Sequence, residues 1–205
     1  MMSFMHKQTG SSIVLLGLLM LVISSCGTAP IQRPEAILAS YTTTRVQKAT
    51  APAPRSIATP IHIRIPAIGV DAAIEPVGVL NSGNLDTPHQ QPWDDAGWYS
   101  SGSRPGEQGS AVIDAHVDRP GGGPATFWYL HLLQPGDQVM ITTASQQQLS
   151  FRVTRTTNYP VENVPLQTIF ADSSGKYLNL ITCAGYYVPS LHGTTLRTVV
   201  FTVLQ

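Results

Sequence analysis

A cysteine, a histidine and an arginine, set in separate stretches of the 205-residue chain, could together carry out acyl transfer. Cys183 closes the apolar run Tyr177-Leu178-Asn179-Leu180-Ile181-Thr182, whose alternation predicts a strand with side chains on both faces. His116 follows Ala111-Val112-Ile113-Asp114-Ala115, and Arg197 leads into Thr198-Val199-Val200-Phe201. A thiol is a strong nucleophile only as thiolate, so it needs a neighbour that takes its proton. An imidazole can do this and later protonate a leaving amine. A guanidinium or backbone N–H groups can stabilise the oxyanion of the tetrahedral intermediate, each such donor being worth about 3 kcal/mol. The competing reading of Cys183 is a buried residue acting as a small hydrophobe. Asp114 and Asp118 flank His116 and could orient it, or they could simply be solvated acids at a strand end. His62, His89, His131 and His192 read as surface or structural residues, and Trp93, Trp98 and Tyr99 as core or loop anchors.

The elements that would position these residues are strands. From Ile61 onward, short β-rich runs alternate with Gly and Pro turns, the pattern of an all-β protein. Strands are expected over 61–65, 72–80, 111–115, 138–143, 149–157, 177–182 and 196–204, with long loops over 86–109 and 161–174 and one or two helical turns over 126–133. About eight strands with little helix are most economically closed into a barrel, which removes sheet edges. His116, Cys183 and Arg197 would then meet near one rim.

Composition narrows the function classes. Formal net charge is zero, with only 12% charged residues and no basic run, which excludes a nucleic-acid binder. Residues 1–60 carry five cations and one acid; residues 61–205 carry seven cations and eleven acids. A basic stalk near an anionic membrane and a mildly acidic body fit that division. The apolar run Ile13 to Ile23 would rise roughly 16 Å as a helix, short of a hydrocarbon core of about 30 Å but suited to a secretory signal. Residues 27–60 hold five prolines among Ala, Thr and Ser, a composition that cannot bury a core and reads as a disordered linker. A short helix over 36–47 is the one element expected within it.

Three groups of residues give these readings a family. Ile23-Ser24-Ser25-Cys26-Gly27 resembles the lipobox of bacterial lipoproteins, which implies lipidation at Cys26; an uncleaved membrane anchor is the alternative. With Cys26 so consumed, Cys183 is a lone thiol in an exported protein, a reason to regard it as reactive. Asn179-Leu180-Ile181-Thr182-Cys183 resembles the Thr-Leu-X-Thr-Cys signature of sortases, the bacterial cysteine transpeptidases. Arg197 and His116-Val117-Asp118 match that family's arginine and histidine positions. Ile65 to Val70, Gly97-Trp98-Tyr99, Pro105 to Gly109 and Leu132 to Asp137 match in family order, most like its single-domain E or F classes. Asn179 in place of Thr, and Ala115 in place of the Gly that commonly precedes the histidine, depart from the pattern.

The resemblance implies an eight-stranded sortase-type β-barrel over 61–205 with one or two short helices. It implies that Cys183 attacks the Thr carbonyl of a Leu-Pro-X-Thr-Gly-like sorting signal, with His116 as acid and base and Arg197 orienting signal and oxyanion. Thr182 and Ala184 would support substrate and oxyanion. The partners would be sorting-signal peptides of secreted proteins, an amine acceptor (a cell-wall precursor or a pilin) and the membrane through the N-terminus, at the outer face of the cytoplasmic membrane. No cofactor or metal is required. A peptide hydrolase on the same fold, or a non-catalytic peptide-binding lipoprotein, are the competing functions.

Overall fold

The computed structural model describes residues 56–191 and 193–205. The signal segment with Cys26, the linker up to residue 55 with the helix expected over 36–47, and His192 lie outside the described residues.

Eight strands close into a barrel in the order β1-β2-β3-β4-β7-β8-β6-β5. They are β1 (Pro60–Ile65), β2 (Val70–Val77), β3 (Ala96–Tyr99), β4 (Gly109–Asp114), β5 (Gln138–Thr143), β6 (Gln148–Pro160), β7 (Lys176–Val188) and β8 (Gly193–Leu204). The β2–β3 and β4–β7 pairs are parallel. The only α-helix among the described residues is α1 (Leu166–Phe170), beside four single 3-10 turns. No described helix is long and apolar enough to cross a membrane.

Period-two alternation builds the barrel wall. Ile63 and Ile65 on β1, Val139 and Ile141 on β5, and Leu178 and Leu180 on β7 are all fully buried in one core. Phe127 and Leu130, from the helical turns expected over 126–133, plug that core. Gly69, left-handed at φ 69°, ends the turn after Pro66 and donates its N–H to Pro66 O, reversing the chain from β1 into β2.

Three strands, β3, β7 and β8, differ most from the sequence reading. β3 falls inside the stretch expected to be a loop: its four residues, Ala96 to Tyr99, are too few to show a period, and flanking strands hold them. β7 and β8 run past the expected ends, to Val188 and from Gly193. A register shift between Ala184 and Tyr187, at left-handed Gly185, lets this hairpin continue beyond the irregularity. Cys183 and Arg197 therefore lie within long paired strands rather than at strand termini.

Candidate functional site

Strand register decides which candidate residues meet. In β7 the even residues Leu178, Leu180 and Thr182 face the barrel interior, so Asn179, Ile181 and Cys183 face outward. The antiparallel β7–β8 pair sets Cys183 directly opposite Arg197, on the same face. On the other side β4 pairs in parallel with β7, its last partners being Asp114 and Ile181. Two further contacts carry that register onward: Ala115 N donates to Ile181 O at 3.4 Å, and the Thr182 hydroxyl donates to Ala115 O at 2.7 Å. His116 thus stands abreast of Cys183. With strands about 4.8 Å apart, His116, Cys183 and Arg197 form one row across β4, β7 and β8 on the outer wall.

Each member of the row is fixed by its surroundings. Cys183 is half-buried and is the free cysteine among the described residues. His116 packs on Trp93 with ring centroids 4.5 Å apart, and its carbonyl accepts from Phe127 N at 3.0 Å. Burial lowers its pKa below the ordinary histidine value; the charge of Asp118 works against this but counts for less. The imidazole is therefore biased towards its neutral, proton-accepting form. Arg197 Nη1 donates to Thr194 Oγ1 and Leu196 O, both at 2.9 Å, and to Thr194 O at 3.3 Å. Those three bonds hold one side of the guanidinium against the start of β8.

The loop after His116 is clamped as well. Asp118 and Pro124 form an isolated bridge, Arg119 Nε donates to Pro124 O at 2.9 Å, and the Arg119 guanidinium pairs with both oxygens of Asp94. Trp93 O accepts from both Thr126 N and Thr126 Oγ1. This lacing sets the indole against the imidazole.

Other expected residues fall differently. Thr182 is 5% exposed and faces the interior, so its hydroxyl is directed away from the thiol face. That hydroxyl fastens the end of β4 to β7, as alternation along the strand dictates. Ala184 pairs with Leu196 just before the register shift, leaving only its backbone to serve the thiol face. Asp118 is exposed and makes no hydrogen bond to His116 among the described residues; Trp93, taken from sequence as a mere anchor, is what packs on the ring. His62 pairs with Asp71 at 2.8 Å and His89 with Asp86 at 3.0 Å, both away from the row. Asn179 is 2% exposed and donates from Nδ2 to Ile169 O at 2.7 Å, tying α1 to the outer face. No group of three His, Cys, Asp or Glu among the described residues is arranged to hold a metal ion.

Below the row, the outer face is apolar. Val112, Ile169, Val199 and Phe201 form a second cluster, joined by Leu85, Tyr99, Val164 and Ile181. A thiol, an imidazole biased towards its neutral form and a guanidinium thus edge an apolar cluster into which α1 packs through Ile169.

The sequence matches the family model of the Sortase domain over residues 63–205. No curated protein matches it. Among solved structures, the fold is similar to a Clostridium perfringens sortase D5 transpeptidase (TM-score 0.52, 19% identity, covering 72% of this chain and 79% of that one). It is also similar to sortase A from Corynebacterium diphtheriae (TM-score 0.56, 20% identity, 73% of this chain and 62% of that one). A third likeness is to sortase C2 of Pilus Island 1 from Group B Streptococcus (TM-score 0.54, 21% identity, 71% of this chain and 73% of that one).

Proposed function

This chain belongs to the sortase family, and from that premise we propose that it is a cysteine transpeptidase acting on Leu-Pro-X-Thr-Gly-like sorting signals. Cys183 gives its proton to His116, and its sulfur attacks the Thr carbonyl carbon. The carbonyl electrons move onto oxygen, where the Arg197 guanidinium and backbone N–H groups near Ala184 stabilise the charge. When the tetrahedral intermediate collapses, the C–N bond to Gly breaks and His116 returns its proton to the departing amine. The thioacyl enzyme is then resolved by an amine of the cell envelope. That amine loses a proton to His116 as it bonds to the acyl carbon, and the proton returns to sulfur as Cys183 leaves.

The observation that supports this reading is the register row, in which His116, Cys183 and Arg197 stand side by side on one face. The lowered pKa of His116 supports the first step, because only a neutral imidazole can accept the thiol proton. In the same reading, residues 1–26 export the chain and hold it at the outer face of the membrane, through lipidated Cys26 or an uncleaved anchor.

Mass spectrometry of products from Leu-(Pro/Ala)-X-Thr-Gly peptides, with and without an added amine, tests the proposal. Cleavage after Thr, an amine adduct on the Thr fragment and a thioacyl mass on Cys183 are expected. The same hydrolysed product with and without amine would make the chain a hydrolase. Binding without cleavage would leave it a peptide-binding protein.

A further inference from the structure

A general base is commonly held in place by a third group hydrogen-bonded to it. His116 has no such partner: no hydrogen bond to either ring nitrogen forms among the described residues, and exposed Asp118 acts on it only through its charge. What touches the ring is the indole of Trp93, with centroids 4.5 Å apart and planes tilted by 40°. That separation is a close aromatic contact. β3 pairs with β4 through Gly97 and Asp114, and the same register carried onward puts Trp93 on the β3 side of His116, across from β7 and Cys183. The imidazole therefore has the indole on one side and the strand of the thiol on the other.

The indole is itself held. Asp94 N and Asp95 N both donate to Gln91 O, at 3.0 and 2.8 Å, in the turn that presents Trp93. Trp93 O accepts from Thr126 N at 3.0 Å and from Thr126 Oγ1 at 3.1 Å, and the next residue, Phe127, donates its N–H to His116 O at 3.0 Å. Two consecutive residues thus fasten the backbones of Trp93 and His116 to each other. The ion pair between Arg119 and Asp94 closes the same ring of contacts from the solvent side.

Few charges face the imidazole. They are Asp118 on its own loop, Asp114 one row below on β4, Cys183 and Arg197 on β7 and β8, and Asp94 with Arg119, which pair with each other. Asp95, just before β3, is buried. Burial outweighs the charge of Asp118 and lowers the His116 pKa, and the indole supplies part of that burial.

Resting on the function proposed above, we propose that Trp93 is a positioning residue, its indole taking the place of a hydrogen-bonded partner by holding the His116 imidazole abreast of Cys183 and keeping water off it. The substitution has a sign. A carboxylate bonded to the ring would stabilise the imidazolium, whereas an indole that buries the ring favours the neutral base.

NMR of the full-length Cys183→Ala protein, with its histidines labelled, reads this without turnover and without the thiol titration. The His116 ring signals, assigned by their loss in His116→Gln, should be displaced upfield by the indole ring current and should titrate below 6.5. Adding Trp93→Leu should remove the displacement and raise the titration to about 6.5, the ordinary histidine value. Adding Trp93→Phe, which keeps an aromatic face, should preserve most of both. In the Cys183-containing protein, Trp93→Leu should lower kcat roughly tenfold, leave KM within about twofold and move the acidic limb of kcat/KM upward. Thermal unfolding checks that each variant folds. Asp94→Asn leaves the indole but loosens its clamp, and should give the same changes in smaller measure. A His116 titration that stays put or falls further in Trp93→Leu, or a rise in KM alone, would overturn the inference. Absence of a thioacyl product from the parent protein would count against the proposed reaction, while the NMR titration would still decide the role of Trp93.

Discussion

The two faces of β4, β7 and β8 are built from the same strands and do opposite things. On the inner face, Ala111, Ile113, Leu178, Leu180 and Val200 are apolar and fully buried. On the outer face, each strand places its apolar residues in the second cluster and changes character towards one end, to Asp114 and His116, to Cys183, and to Arg197. The difference teaches how a β-barrel separates stability from reactivity. A period of two lets one strand commit alternate residues to the core and leaves the others free for chemistry.

Substitutions on opposite faces should therefore fail in opposite ways. Cys183→Ala should abolish transpeptidation, by about 10⁴-fold or more in kcat, with an unchanged melting temperature. Loss of folding in that variant would break the separation. His116→Ala should slow turnover by about 10²- to 10⁴-fold in the same peptide assay. On the inner face, Leu180→Ala should cost about 2–5 kcal/mol in denaturant unfolding while leaving kcat of the folded fraction near that of the parent. Arg197→Lys keeps the charge but not the planar fork, and should lower kcat by about 10-fold or more.

Thr182 sharpens the comparison because it belongs to the inner face yet secures the outer one. Thr182→Val removes the donor to Ala115 O and should cost about 1–3 kcal/mol in chemical denaturation. It should also slow turnover, because it loosens the link that carries the register to His116. The smallest expected effect is in pH. Since burial lowers the His116 pKa, its neutral form persists to lower pH than in an ordinary histidine, and the acidic limb of kcat/KM should fall below pH 6.5. The sign is that of a base: activity is lost as pH drops through that pKa, and a limb above 6.5 would contradict it.

Alternation made β1, β5 and β6 legible in the sequence, along with the strand character of Tyr177 to Thr182, and β4 was legible as a short buried apolar run. What stayed hidden depends on contacts between segments distant in sequence. Nothing local in Ala96-Gly97-Trp98-Tyr99 marks a strand, because parallel pairing to β2 supplies its order. Nothing beside Trp93 points to His116, since the two meet only through the loop laced by Arg119 and Asp94. Asp114 read equally well as a solvated acid, because its burial comes from Gly97 and Val77 on other strands. The inward direction of Thr182 follows from alternation alone.

The order of strands around the wall has a consequence for how the fold comes into being. β7 sits between β4, some sixty residues earlier, and β8, the last strand. β8 arrives by a local hairpin, but β4 is paired across some sixty residues, and such a distant pairing is slow to form. During synthesis the sulfur stays latent until Arg197 and the residues after it have emerged. A chain cut short before that point would carry the thiol and His116 but not the guanidinium opposite them.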